Sequence, residues 1–448
     1  MVLVLALALS LAPQSPVGGR SRHRRANILI FLTDDQRSGL QVMDGVRHKL
    51  AKQGRSFPHA FVTTPACCPS RASIMTGRYA HNHGVVRNPL DQKLNHKTTL
   101  QYFLESAGYR TGYVGKFLND WPIRKDPPFF DAWATHSASP KSGRRRYYDG
   151  KFNINGDVRA VSEYSTNFVG SRAVKFLQTA NRRDRRPWLL YVATDAPHAP
   201  LIPARKYRNT RVPSWSGNPA VREDDRSDKP PWVRSSTYTF KEGREFRREQ
   251  FRMLMSVDDM IKKVLGVVRD LDERRKTLVI FMSDNGYLWS EHRLKAKFHP
   301  YTESIRVPMV MRWPGRIGPR SKDRRLTGNI DIAPTVLDAA NVPHDSGPPF
   351  DGRSLLKQGW AREHLLFEYA RHAYASVPKW ASIRSKSYQY VEYYGDGEVK
   401  FREYYKLKRD RYQLRNLLHD GNPNDPGNLA KVKRRLRRDK NCRGADCP

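Results

Sequence analysis

Apolar runs too short for helices and too continuous for half-exposed strands punctuate this chain. Residues 27–32 (NILIFL), 188–192 (WLLYV) and 277–282 (TLVIFM) have the length of strands buried on both faces of a parallel sheet. Stretches with helical spacing lie around them. Residues 98–108 put Leu100, Phe103 and Leu104 on one side and stop at Gly108, and residues 167–179 read as a second helix. Residues 251–271 repeat the pattern at Phe251, Leu254, Ile261, Val264, Leu265, Val268 and Leu271. Residues 109–114 and 307–313 read as further strands, and 329–340 as a helix interrupted near its start by Pro334. This order predicts an α/β fold: a large mixed, mostly parallel sheet flanked by helices. From about residue 360, short Tyr-rich alternating segments (388–394 and 399–407) predict a smaller C-terminal antiparallel-sheet subdomain.

The expected division is a leader and basic tail at 1–25, a catalytic α/β domain at 26–355, a C-terminal α+β subdomain at 356–425 and a basic tail at 426–448. Residues 137–160 read as a loop carrying Arg144-Arg145-Arg146-Tyr147-Tyr148, and 182–186 as a basic connector. Residues 201–245, rich in Pro, Ser and charge, read as an insertion over the sheet and part of a substrate rim. Asp258 and Asp259 read as a polar or capping edge of their helix. The basic stretch 430–441 reads as a helix or a disordered tail. There are no internal repeats.

Charge narrows the partners. With 81 Lys and Arg against 44 Asp and Glu, the 448 residues carry a formal charge of +37. Such a field draws polyanions: nucleic acid, sulfated or acidic glycans, or anionic surfaces. The apolar run 2–12 is too short to span a bilayer and has the length of a signal-peptide core, though no Lys or Arg precedes it. Export from the cytoplasm is therefore expected, with no membrane span. Four cysteines cannot make a disulfide scaffold, but Cys442 and Cys447 are close enough to close a small loop. Cys68 reads as packing.

The densest chemistry lies in Thr63-Thr64-Pro65-Ala66-Cys67-Cys68-Pro69-Ser70-Arg71-Ala72-Ser73-Ile74-Met75-Thr76-Gly77-Arg78. Pro65 favours an extended approach, Pro69 a first helical position, and Gly77 a left-handed end. Cys67 then stands just before a helix start, where exposed N–H groups favour negative charge, with the Arg71 cation one turn on. This is a nucleophile position facing an anion site. Asp34 and Asp35 follow the first apolar run and Asp284-Asn285 the last, at the sheet edge where open α/β sheets bind ligands. Together they form a hard oxygen set suited to Ca²⁺ or Mg²⁺, not zinc.

Cys67-x-Pro69-Ser70-Arg71 followed by Ala72-Ser73-Ile74-Met75-Thr76-Gly77-Arg78 resembles the signature of the type I, formylglycine-dependent sulfatases. Separate motifs extend the resemblance in order: Asp34-Asp35, Gly115-Lys116, Pro197-His198-Ala199-Pro200, Asp284-Asn285-Gly286 and Tyr301 to Pro308. It implies an alkaline phosphatase/sulfatase-like fold and oxidation of Cys67 to Cα-formylglycine by a formylglycine-generating enzyme. It implies a metal, calcium or else magnesium, held by Asp34, Asp35, residue 67, Asp284 and Asn285. One hydroxyl of the aldehyde hydrate would attack sulfur, while the other would later expel sulfate. Arg71, Lys116 and Lys297 would neutralise sulfate oxygens, and His198 would protonate the departing sugar oxygen.

Lys295 competes with Lys297 for its role, and His292 and His299 are weaker candidates. Many arylsulfatases carry a His where this chain has Leu118. The form Gly115-Lys116-Phe117-Leu118-Asn119 looks instead like the N-acetylglucosamine-6-sulfatase branch, with Asn119 in the site. The implied substrate is N-acetylglucosamine-6-sulfate in a sulfated glycosaminoglycan, and nucleic acid is not the expected partner. The rival readings are a phosphonate or phosphate ester hydrolase of the same superfamily, and a polyanion-binding protein whose catalytic site has lapsed.

Overall fold

The three apolar runs lie side by side as hydrogen-bonded neighbours. The structure is a computed structural model describing residues 25–136, 140–183, 186–344, 347–373, 375–422 and 426–448. The proposed leader, most of the first basic stretch and part of the 182–186 connector lie outside the described residues. In chain order the strands are β1 (Asn27–Thr33), β2 (Arg55–Ser56), β3 (Ala60–Phe61), β4 (Arg110–Lys116), β5 (Ala132–His136), β6 (Gly150–Ile154), β7 (Asp157–Val161), β8 (Trp188–Ala193) and β9 (Thr277–Ser283). They continue as β10 (Leu288–Trp289), β11 (Lys295–Ala296), β12 (Met309–Arg312), β13 (Ser321–Lys322), β14 (Thr327–Gly328), β15 (Leu365–Tyr369), β16 (Lys379–Arg384), β17 (Gln389–Gly395) and β18 (Glu398–Tyr405).

Among the described residues, ten strands form one sheet in the order β13-β2-β12-β9-β1-β8-β4-β5-β6-β7. Its centre is parallel, with β1 between β8 and β9 and with β4 between β8 and β5. Both edges carry antiparallel pairs, β12 with β9 and β5-β6-β7. Alternate side chains of β1 enter two cores. Ile28, Ile30 and Leu32 meet the helices Cys67–Thr76, Leu100–Ser106 and Ile332–Ala340, while Leu29 and Phe31 meet Ser165–Arg183 and Phe240–Asp270. Each fully buried Ile, Leu or Phe adds roughly 1.5–3 kcal/mol to stability.

Several boundaries differ from expectation for identifiable reasons. Residues 150–161 form the hairpin β6–β7, turned by Asn155 (φ 52°) and Gly156 (φ 92°). Asn-Gly is the two-residue turn whose left-handed backbone matches strand twist. The long helix spans Phe240–Asp270, eleven residues ahead of its apolar stripe, because Thr239 and Glu242 form a reciprocal capping box. Pro334 does not break its helix. It is the third residue of Ile332–Ala340, where its missing N–H would have no intrahelical partner anyway. Pro308 shortens the following strand to β12.

Asp258 does cap a helix: its carboxylate accepts from Gly45 N and Val46 N, both at 2.9 Å, at the start of Asp44–Lys49. C-terminally, β15 to β18 form a four-stranded antiparallel meander. The basic stretch becomes the helix Leu429–Asp439, which packs Leu429, Val432 and Leu436 against Leu366, Ile383, Tyr390 and Tyr404. A Cys442–Cys447 disulfide closes the loop beyond it. Among the described residues no helix is long and apolar enough to cross a membrane.

Candidate active site

Strand register assembles the site. β1 and β9 pair in parallel up to Thr33↔Ser283, so Asp34-Asp35 and Asp284-Asn285 leave the sheet together. Asp284 N donates to Thr33 O at 3.0 Å and Asp35 N to Asp284 Oδ1 at 3.2 Å. Asp35 is held at φ 67°, a left-handed backbone that Asp tolerates better than most residues. Beside them, β4 ends in Lys116, and β8 leads to Asp195 and His198.

The helix Cys67–Thr76 points its first turn into this edge. Cys67 is its first residue, not the one before it. Ala66 is the extended cap, and Pro69 stands third in the helix, where proline is still free of an intrahelical bond. Gly77 ends it at φ 67°, donating to Ser73 O at 2.9 Å. Cys67 Sγ lies 3.5 Å from Asp34 Oδ1 and 2.9 Å from Lys297 Nζ. Arg71 is fully buried, donating from Nε to Asp284 Oδ2 at 2.8 Å and from Nη1 to Lys116 O at 2.6 Å. Lys116 pairs with Asp34 and Lys297 with Asp35, both in short contacts. His198 Nε2 sits 3.7 Å from Asp35 Oδ2.

Three buried carboxylates therefore face three buried cations. Burial alone would raise Asp34, but Lys116, His198, Lys297 and Arg71 hold it well below the carboxylate range. Asp284 goes the other way: burial and the Asp34 charge lift it to about 6. Burial lifts the Cys67 thiol to about 11, with Asp34 adding to it, and lowers His198 to about 4.

The carboxylate and amide oxygens here suit a hard cation, whereas the Cys67 thiol and His198 imidazole beside them are softer donors. Ligand atoms of Asp34, Asp35, Cys67 and His198 all lie within 4.8 Å of one another. Asn285 Nδ2 donates to Asp35 Oδ1 at 2.5 Å, while its buried Oδ1 has no hydrogen-bond partner among the described residues. A buried carbonyl oxygen left without a donor is costly, and a cation would satisfy it.

The structure separates the competing candidates. Lys295 is exposed on the β10–β11 ribbon, 5.6 Å over the Tyr238 ring, whereas Lys297 is buried against Cys67. His292 bonds Glu223 at 2.6 Å and tilts against the Tyr301 ring, and buried His299 stacks on that same ring. Leu118 is core, and Cys68 is packing that accepts from Asn119 N at 3.1 Å. Asn119 keeps a buried Oδ1 without a hydrogen-bond partner among the described residues.

His136, Asp195, Arg146 and Tyr147 also stand at this edge, where the sequence did not place them. His136, on β5, pairs in register with Lys116; its Nε2 is 2.5 Å from Asp195 Oδ2. Arg146 Nη1 lies 3.3 Å from Asp195 Oδ1. The basic-aromatic segment thus turns inward: Tyr147 is fully buried, and its hydroxyl donates to His198 O. A strand-length Ala-Trp-Ala-Thr-His and the Asp195 of Thr-Asp-Ala-Pro-His were the available signals.

The Sulfatase family profile matches residues 26–342, and that of the N-sulphoglucosamine sulphohydrolase C-terminal region matches 290–441. The Drosophila melanogaster extracellular sulfatase SULF-1 homolog is 31% identical over 364 residues, 75% of this chain. The chain spans only 31% of that protein's length and 48% of its Caenorhabditis elegans counterpart's. Human N-acetylglucosamine-6-sulfatase is 29% identical over 95% of this chain and 86% of its own length. A solved structure described as a complex with its substrate D-glucosamine-2-N,6-O-disulfate shares the fold, with a TM-score of 0.77 and 23% identity over 92% of this chain and 97% of that one. The match over most of its length, on motifs that the fold gathers at one sheet edge, makes this chain a member of the sulfatase family.

Proposed function

We propose that the protein hydrolyses sulfate esters, removing sulfate from a sulfated sugar at residue 67. N-acetylglucosamine-6-sulfate within a glycosaminoglycan is the proposed substrate. The carrying observation is the convergence on Cys67 of Lys297 at 2.9 Å and Asp34 at 3.5 Å, with Arg71 locked to Asp284 one turn along. The buried thiol is itself a poor nucleophile, since a group lifted to about 11 stays protonated at neutral pH. That supports conversion of Cys67 to formylglycine by a formylglycine-generating enzyme, which would supply a hydrate oxygen as nucleophile.

Asp34, Asp35, Asp284 and Asn285, with the residue-67 oxygen, would hold Ca²⁺ or Mg²⁺, which would polarise a sulfate oxygen there. Arg71, Lys116 and Lys297 bring fixed positive charge to where the sulfate oxygens gather charge. His198 lies with Nδ1 against the Ala199 carbonyl, leaving Nε2 to carry the proton for the leaving oxygen. In the free protein burial keeps that ring neutral, with Nε2 bare. An anionic ester beside it raises its proton affinity, so that Nε2 takes up from solvent the proton it then gives to the leaving oxygen. The Cys442–Cys447 disulfide supports an extracytoplasmic compartment.

Peptide mass spectrometry across Cys67, with rates on N-acetylglucosamine-6-sulfate and on aryl sulfate and aryl phosphate esters, tests this reading. An aldehyde at position 67 with preference for sulfate esters supports it. Faster phosphate or phosphonate turnover would favour the rival hydrolase, and no turnover with the aldehyde present would leave a lapsed polyanion binder.

A further inference from the structure

A cavity of about 260 Å³ opens where β3 and the helix Thr302–Ile305 meet the C-terminal meander, sharing no residue with the cluster around Cys67. Its cations come from separate elements: Arg306 after the helix Thr302–Ile305, Arg384 at the end of β16, Lys386 in the next turn and Arg411 beyond β18. His59 adds a ring, and Glu303 is the one carboxyl lining the cavity among the described residues. Burial, then the neighbouring Glu291, pushes Glu303 towards its neutral form.

These cations are not matched from within. None of the four forms an ion pair among the described residues. Arg384 is 8% exposed; its guanidinium donates to Gln389 Oε1 and lies 5.1 Å over the Phe61 ring. Arg306 Nε is buried without a hydrogen-bond partner among the described residues. Burial, then Arg306, drops Arg384 to about 9, the response of a guanidinium lacking its anion. Forked guanidinium donors around a small cavity suit a tetrahedral oxyanion. Phe61, Leu326, Leu407 and Tyr412 give the same cavity an apolar wall for the face of a sugar ring. Lys386 and Arg411 are exposed at its mouth.

We propose that this cavity binds a sulfate group of a sulfated oligosaccharide, separately from the ester presented to residue 67. The ligand class rests on the hydrolase reading above; the unmatched cationic cavity does not.

The test is calorimetric titration of the full chain with a heparin-derived tetrasaccharide and, separately, with inorganic sulfate. Lys386→Ala with Arg411→Ala should weaken tetrasaccharide binding about tenfold. Arg434→Ala with Arg437→Ala removes the same charge from the exposed face of Leu429–Asp439 and should weaken it less than about twofold. Melting curves check that both variants fold. Equal losses in the two pairs, or no loss in the first, would overturn the proposal. Inorganic sulfate binding as tightly as the tetrasaccharide would overturn the oligosaccharide assignment. Protein with residue 67 left as cysteine is titrated, so that the heat reads binding alone. Failure of the hydrolase reading then leaves the result legible, and an active converted enzyme with an indifferent cavity sinks only this inference.

Discussion

Lys297 Nζ stands 2.9 Å from Cys67 Sγ, although 230 positions separate them in the chain. The ammonium also pairs with Asp35, so a single side chain touches both Cys67 and the carboxylate cluster. Lys297→Ala should therefore lower kcat/KM for a sulfate ester by about 10²-fold or more. Lys295→Ala, on the exposed ribbon, should stay within about threefold of the parent, since removing a solvated surface charge changes little. Steady-state rates on the two variants decide between the lysines, and parity between them would refute the assignment.

Removing divalent cations should destabilise the protein as well as silence it. A site occupied at a hundred times its dissociation constant adds about 2.7 kcal/mol, so chelation should lower the melting temperature by several degrees. Calcium should restore it. Asp34→Asn should abolish the calcium response while leaving a folded protein, and a melting curve indifferent to chelator and calcium would refute the metal site.

Gly115 approaches its neighbour strand too closely for a side chain. At φ 102°, a Cβ there would lie 1.8 Å from Ala193 O on β8. Gly115→Ala should cost roughly 2–4 kcal/mol and displace Lys116 from Asp34. Denaturant unfolding measures the first effect, and a drop in turnover at temperatures well below the melt measures the second.

His81 provides a pH signature remote from the carboxylate cluster. Although burial opposes it, the Glu368 hydrogen bond and charge, with the Cys442 carbonyl, lift its pKa to about 9. A folded value above the unfolded one near 6.5 gives stability that is complete below that lower value and is lost as pH rises through 9. The loss should be on the order of 2 kcal/mol. His81→Gln should flatten the stability profile between those limits, and an unchanged slope would remove His81 as its source.

Much of this was legible because buried parallel strands advertise themselves as unbroken apolar runs and deliver the residues at their carboxyl ends to one edge. Asp34, Asp35, Asp284 and Asn285 could be placed together on that ground. The hairpin at 150–161 was equally legible in Asn155-Gly156, but the surrounding Arg and Tyr residues suggested a solvated loop. The first eleven residues of Phe240–Asp270 lack a continuous apolar stripe, so only the Thr239–Glu242 cap announced them. His136 closes a strand-length Ala-Trp-Ala-Thr-His, but nothing in that run says which strand it joins. Its place depends on β5 pairing with β4, a long-range contact that spacing along the chain cannot encode. The choice of Lys297 over Lys295 likewise depended on which way a two-residue ribbon turns.

The clasp around the Cys442–Cys447 disulfide bears on the proposed maturation of Cys67. The Cys442 carbonyl accepts from His81 and Asn82, and Asp351 binds both Tyr79 N and Gly444 N, so the segment just past the helix Cys67–Thr76 is bracketed by residues far along the chain. During synthesis those brackets are made well after the helix they hold. With Cys67 only 1% exposed in the folded chain, the conversion proposed above would have to reach it before these contacts form.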